Sequence, residues 1–488
     1  MDFAAIIAYL FVYCIRPHEW SSALSSLRPV TLVMAFAILA LFFRDGGLRR
    51  SQLMRTPHEW LMLLYLGYLF FFVPSDGESL APVRNSIIIY FVITLALNSF
   101  ERLRMFLYWW CGFLMTIVFL AIASQFGFDP LGSAYLTQVF QDRLTLGLSI
   151  YHNPNALAHN VLPVLGMLYF LFIWRRPFFL KEIGALLMIL PLWCIFLTRS
   201  KGGFLSGFVA SIIVLSAGRP IWVKIAVWVL SITVGWTAMM TLPRMQELRN
   251  PRREAGMQTR LLLWEHGLKA MRENTYGVGI NQFAGHFSRS HGFEKASHSS
   301  YVTVGAEQGF WGLMLFVGAL YCCGRTLVTT KTASDEEERV RRILIVALVC
   351  YVVSSWMIAW AYHGGFILLM ACVTAFHRHF QEKALRETET DEESTAPLPL
   401  PAMAAMPVAG TLPGGAIAPP VSARSGLEII QSAASAPAAP PLATPAPAEE
   451  EKPAKPRFWQ RLGFWDLALI FVVTRLVIAF WEYVLTKY

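Results

Sequence analysis

Between Ser297 and Gly312 the chain reads SHSSYVTVGAEQGFWG. A histidine and several hydroxyls stand where a polar loop runs into an apolar segment, and a glutamate follows between two glycines. His298 is the best-placed general base of the chain, because imidazole can take a hydroxyl proton near neutral pH. An imidazole at a membrane boundary also serves simply as an interfacial side chain, so its neighbours have to decide. Glu307 follows Ser300 by seven residues, and a regular helix would set both on one face. An ionisable group inside a membrane span is costly and is retained for a reason. Gly305 and Gly309 form a GxxxG spacing that permits close helix approach.

Three further elements carry candidate chemistry. In YHNPNALAHN (151–160), Asn153-Pro154-Asn155 opens an apolar segment. Asn155 is a candidate substrate contact, although asparagine is also a good helix N-cap. In LTRSKGG (197–203), Arg199 and Lys201 flank a serine just before two glycines, where a helix begins. Cations beside a helix N-terminus make an anion site, and they also make residues that snorkel to headgroups. In QTRLLLWEHGLKAMRENTYGVGINQF (258–283), Arg260 offers a planar fork suited to phosphate oxygens, and Gly277 and Gly279 mark a tight turn. Together these parts would hold a diphosphate leaving group with cations while His298 deprotonates an acceptor hydroxyl. No carboxylate pair or metal-ligand cluster is apparent, so neither a metal nor another cofactor is expected.

The elements that must position these residues are membrane helices. The 488-residue chain is 55% hydrophobic and only 15% charged, with a mean hydropathy of +0.48. Its apolar runs predict an all-α, polytopic transmembrane bundle of about twelve spans. They lie near 2–15, 30–43, 57–74, 85–98, 104–123, 155–174, 180–197, 203–217, 221–241, 300–323, 343–361 and 363–377. Every second short loop is richer in Arg and Lys, which places the N-terminus inside. The long loop 242–299 then falls on the outer, periplasmic face, together with all four candidate elements. It carries an excess of Arg and Lys over its five glutamates. Leu261, Trp264, Leu268 and Met271 recur in it at helical spacing, as in an amphipathic helix lying at the interface or capping the bundle. The seven cysteines fall in or beside apolar runs and read as packed or lipid-facing thiols.

The chain divides into N-terminal spans (1–150), a membrane region holding the candidate site (151–377), a Pro/Ala-rich tail expected to be disordered and cytoplasmic (378–457), and a last apolar segment (464–486). Arg475 near the middle of that segment costs roughly 2.5–3.5 kcal/mol at a bilayer centre, so the segment is either a thirteenth span or an interfacial anchor.

These motifs, in this order, resemble those of the O-antigen ligase and polymerase superfamily of bacterial membrane glycosyltransferases. The resemblance rests on Asn153-Pro154-Asn155, Thr198-Arg199-Ser200-Lys201-Gly202, Arg260 to Trp264 with Gly277-Val278-Gly279, and His298-Ser299-Ser300-Tyr301 with Ala306-Glu307-Gln308-Gly309. It covers about residues 150–312. The chain departs from the family pattern at Lys201 (usually Arg), Ser299 (usually Asn) and Tyr276 (commonly Pro). The resemblance implies transfer of a glycan from an undecaprenyl-diphosphate carrier to a glycan or lipid-glycan acceptor, without metal or nucleotide sugar, at the periplasmic face of the bacterial inner membrane. His298 would be the base, and Arg260 together with Lys201 or Arg199 would bind the diphosphate, which makes His298 and Arg260 the candidate catalytic residues. Arg199, Lys201, Asn155, Tyr301 and Glu307 would contact substrate. Membrane lipids are the other expected partners; nucleic acid is not.

Two other readings stand beside this one. A transporter or exporter of an anionic or lipid-linked substrate would set its cations along a path and show repeat symmetry. A scaffold would depend on residues 385–488, which a transferase working in the outer loop could lose. The transferase reading requires Arg260 and His298 to meet on one side of the bundle.

Overall fold

The computed structural model describes residues 1–43, 54–216, 218–241, 255–395 and 462–487, and among these the regular structure is helical, without strands. The helices are α1 (Asp2–Ile15), α2 (Pro17–Trp20), α3 (Ser22–Ser25), α4 (Pro29–Phe42), α5 (Pro57–Phe71) and α6 (Gly77–Ala96). There follow α7 (Phe100–Ala123), α8 (Ser133–Val139), α9 (Pro154–Leu168), α10 (Phe178–Thr198), α11 (Lys201–Ser216) and α12 (Ile221–Thr241). The last are α13 (Ala255–Glu273), α14 (Phe283–His291), α15 (Ser300–Thr329), α16 (Asp335–Ser354), α17 (Gly364–Thr395) and α18 (Phe464–Lys487). Among the described residues, 1–385 and 462–487 belong to one compact unit.

Six stretches among the described residues are long and apolar enough to cross a membrane: Gly77–Ala96, Phe100–Phe126, Pro154–Ile173, Phe178–Thr198, Ser300–Thr329 and Phe464–Lys487. Shorter apolar helices stand at Asp2–Ile15, Pro29–Phe42, Lys201–Ser216 and Ile221–Thr233. The chain is an integral membrane protein. Helix α9 is buried on nearly every side, packing on α7, α10, α11 and α16, as expected of a helix apolar all round. Its approach to α16 is close, since a Cβ on Gly166 would lie 2.7 Å from Val346 Cγ1. All seven cysteines are free and buried, as packed thiols should be.

Local sequence explains where helices begin. Pro57 at the first position of α5 follows Thr56, whose capping box with Glu59 satisfies orphan amides. Ser334 and Glu337 make the same box at α16. Ser299 caps α15, accepting from Val302 N, so the serine does there what an asparagine would.

Two expectations need correction. The apolar run 343–361 is not one span: α16 stops at Ser354, and residues 355–363 form turns before α17. Hydropathy misleads here because this non-helical backbone is packed against α15, where protein groups can satisfy it. The tail also begins later than expected. Helix α17 continues to Thr395, through a stretch rich in Glu, Lys, Ala and Arg, all good helix formers. Residues 396–461, where most of the expected tail falls, lie outside the described residues, as do 242–254 of the long loop.

The last apolar segment, read as either a span or an interfacial anchor, is long and apolar enough to cross a membrane and lies along α15 as its antiparallel neighbour. Asp466 approaches Arg325 to 2.7 Å and accepts from Tyr321 Oη (2.8 Å) at one end. A Cβ on Gly318 would meet Ile470 Cγ2 at 3.3 Å midway, and one on Gly305 would meet Trp481 Cζ3 at 3.1 Å at the other end. Asp466 and Trp481 are about 22 Å apart along a helix rising 1.5 Å per residue, so α18 accompanies most of α15. Arg475 lies on its exposed face.

Candidate active site

Two helix starts are locked together first. Asn153 caps α9 by accepting from Asn155 N (2.9 Å). The Asn155 side-chain oxygen in turn accepts from Arg143 Nη2 (2.8 Å) and from Ser200 Oγ (2.8 Å). Arg143 Nε also donates to the Thr198 carbonyl (3.0 Å), so one buried arginine ties the NPN turn to the LTRSKGG turn. Arg199 takes a left-handed conformation (φ 47°) and is exposed, ending α10. Ser200 then caps α11 by accepting from Gly203 N (3.1 Å). Lys201 opens α11, whose N-terminal amides carry a partial positive charge.

Helix α13 supplies Arg260. Its apolar stripe is buried: Trp264, Leu268 and Met271 are each 7% exposed, and the helix packs on α15 and α18. The amphipathic helix therefore caps the bundle. Trp264 stands one turn after Arg260 on the same face and donates from Nε1 to the Ser297 carbonyl (3.1 Å). That bond fixes α13 beside the residue preceding His298. The Ser297 hydroxyl, itself buried, bonds Thr303 Oγ1 (2.6 Å) and the Ser299 carbonyl (2.8 Å), closing a tight turn that holds His298 at φ 56°. Burial, with the nearby charges of Arg260 and Lys295, pushes the His298 imidazole down to about 4. At neutral pH it is the free base. Arg260 Nη1 meets Met357 Sδ at 3.7 Å, in the turn segment after α16.

The start of α15 is sewn to that segment. Ser300 N donates to the Ser355 carbonyl (2.7 Å), Ser300 Oγ donates to Ile358 O (2.8 Å), and Trp360 N donates to Ser300 Oγ (2.9 Å). Tyr301 is buried, with its hydroxyl on Val352 O (3.2 Å) and its ring 4.7 Å from that of Trp356. Glu307, 2% exposed, accepts from Phe283 N (3.0 Å) and from Tyr362 Oη (2.7 Å). Ser300 and Glu307 thus reach the same segment, as one helix face requires.

The glycines make this docking possible. Val278 N and Gly279 N donate to the carbonyls of Ala306 and Glu307 (2.9 and 3.0 Å). A Cβ on Gly277 would fall 2.2 Å from Glu307 C. Gly309 breaks α15 with φ 71°, ψ −172°, and its own Cβ would strike Thr275 O at 2.1 Å. Gly305 keeps the close approach expected of the GxxxG spacing, toward Met271 and Trp481. Tyr276, where the family commonly has proline, is partly exposed and packs on Phe72, ring centroids 5.5 Å apart.

The Trp264–Ser297 bond therefore sets the helix carrying Arg260 beside the turn carrying His298, and Asn155 bonds the turn carrying Arg199 and Lys201. Tyr301 and Glu307 have their polar atoms engaged by protein groups. Four residues near the site escaped the sequence reading: Arg143, His159, Ser354 and Met357. Arg143 counted only as a loop charge, and Ser354 and Met357 stood in a run taken for a span. His159 is the nearest miss, standing one turn beyond Asn155. A polar residue four positions from a candidate contact on a helix was the available signal.

Residues 185–317 match the family described as O-antigen ligase. This stretch takes in Arg199, Lys201, Arg260, His298 and Glu307, and the match supports the resemblance to the O-antigen ligase and polymerase superfamily. The chain matches no curated protein.

Proposed function

We propose, from the match to that family, that the protein transfers a glycan from an undecaprenyl-diphosphate carrier to an acceptor hydroxyl at the periplasmic surface of the inner membrane. The observation supporting this reading is that the Arg260 charge acts on a neutral His298, while the same guanidinium reaches Met357, which packs close to Gly202 at the start of α11. His298 takes the proton from the acceptor hydroxyl as its oxygen attacks the anomeric carbon. The bond from that carbon to the diphosphate oxygen breaks, and the leaving diphosphate gathers negative charge. Arg260, with Lys201, Arg199 and the α11 amides, neutralises that charge, which is the larger electrostatic contribution to such a step. Asn155 and Arg143 hold the Lys201 turn in place. Tyr301 and Glu307 hold α15 and the glycine turn, and so act on substrate through the frame.

Polymerisation of lipid-linked units and ligation to a terminal acceptor share this donor chemistry. The test is His298→Ala in cells and in purified protein. Lipid-linked glycan should accumulate while the variant persists in the membrane at the normal level. Glycan of unchanged length and attachment would overturn the reading. Product size in the purified reaction separates chain growth from a single capping event.

A further inference from the structure

The site contains a second imidazole. His159 is 4% exposed, and its Nδ1 lies 2.6 Å from Ser354 Oγ, which in turn reaches Ser206 Oγ at 3.3 Å. Its other nitrogen, Nε2, is buried without a hydrogen-bond partner among the described residues. Buried polar atoms in folded proteins nearly always have partners, so an exception asks for an explanation. The surroundings of Nε2 supply one. A Cβ on Gly202 would come 3.1 Å from Nε2 and 2.8 Å from Met357 Cβ. Gly202 is the second residue of α11, directly after Lys201. Met357 is the residue that Arg260 touches, and the Arg260 charge reaches His159 as it reaches His298. The nitrogen thus lies at the start of α11, within reach of the Arg260 charge, and both features favour negative charge there. Glycine at position 202 lets the first turn of α11 approach Nε2 this closely.

We infer that His159 contacts the donor directly, giving a hydrogen bond from Nε2 to an oxygen of the diphosphate. The inference rests on the transferase reading above and adds a residue to it. A neutral imidazole carries its one proton on either nitrogen. The Ser354 hydroxyl serves both forms, accepting from Nδ1 or donating to it. The protein can therefore keep Nδ1 satisfied while Nε2 carries the hydrogen to the ligand. His159 supplies direction and Arg260 supplies charge. A histidine with a packing role only would meet water instead, in the cavity of about 50 Å³ that it lines with Tyr151 and Trp360.

His159→Asn and His159→Gln separate the two roles. The asparagine amide can reach Ser354 as Nδ1 does but falls short of the Nε2 position, which the longer glutamine amide restores. With purified full-length protein and lipid-diphosphate-linked glycan, H159N should raise KM for the donor roughly ten- to hundredfold, the range of a lost hydrogen bond to a charged group. Inhibition by inorganic pyrophosphate should weaken by a similar factor, and H159Q should recover most of both. Donor KM and pyrophosphate inhibition within about twofold of wild type in H159N would overturn the assignment. His298→Ala run alongside keeps the outcomes apart. An inactive H298A with an unaffected H159N removes His159 alone, a fully active H298A removes His298 as the base, and a wild-type protein that transfers no glycan removes the transferase reading itself.

Discussion

Trp481 Nε1 donates to the Trp264 carbonyl at 3.0 Å, and the indole is fully buried over Gly267 and Gly305. The last helix thereby clamps the helix bearing Arg260 to the helix led by His298. Arg272 and Glu482 add an exposed ion pair at 2.7 Å, worth little by itself. Trp356 packs on Phe480 with ring centroids 4.8 Å apart. A chain ending before residue 462 should therefore lose transfer, although the Arg/His elements all precede that point. Trp481→Ala should lower stability by about 3–5 kcal/mol, the cost of removing a buried tryptophan, with a parallel loss of activity; Trp481→Phe should retain most of both. Thermal unfolding in detergent beside a transfer assay checks this. Full activity in the truncated chain would show that α18 is dispensable.

The pH profile follows from His298. Burial comes first, and Arg260 and Lys295 add to it, so the free-base form persists down to about pH 4. The acid limb of kcat/KM, which reports the free enzyme, should therefore lie near 4 and not near the ordinary histidine value of about 6.5. Arg260→Gln removes one of the depressing charges and should move that limb upward, besides lowering the rate. A limb that stays in place in R260Q would mean that Arg260 and His298 do not interact in the working enzyme.

Sequence pattern revealed the parts of the site better than their supports. Arg260 and Trp264 share a helix face, so the buried stripe that placed Trp264 also placed Arg260. The Asn153 cap and the Lys201 turn were legible because helix starts follow local rules. What stayed hidden depended on tertiary pairing. Arg143 bonds residues 12 and 55 positions away, and His159 meets Ser354 across 195. The 355–363 segment was misread because its residues are apolar enough for a span, and only packing against Ser300 and Glu307 shows it to be a turn. The C-terminal helix was ambiguous for another reason: Arg475 argues against spanning by composition, whereas Asp466 and Trp481 engage α15 at both ends.

The glycine turn offers a backbone test. Gly309 occupies a conformation that essentially only glycine adopts (φ 71°, ψ −172°), and Gly277 lies at φ 80° against the Glu307 backbone. Gly309→Ala should cost about 1–3 kcal/mol in strain alone, and more from the 2.1 Å clash with Thr275 O. The 275–279 turn should lift from α15 and loosen the Phe283 contact to Glu307. Gly285→Ala, where a Cβ meets nothing within 4 Å, is the control and should leave stability nearly unchanged. Equal melting temperatures for the two variants would contradict the docking described here.

The histidines of α13 and α14 make the cap of the site acid-sensitive. His266 Nε2 lies 2.9 Å from His286 Nδ1, and His266 and His291 have ring centroids 5.4 Å apart. Burial holds the His266 imidazole down to about 4, with the charges of His286, His291 and Lys269 acting the same way against an opposing Glu273. An unfolded or detached α14 would leave His266 near its ordinary value of about 6.5. Between those values the detached form binds a proton that the docked form refuses, so acid favours detachment. The docking is complete above about pH 6.5 and weakens as pH falls toward 4. Amide exchange in α14, corrected for its intrinsic pH dependence, should therefore accelerate across that window relative to α15. His266→Gln, which does not titrate, should flatten the dependence; an unchanged acceleration in that variant would assign it to another group.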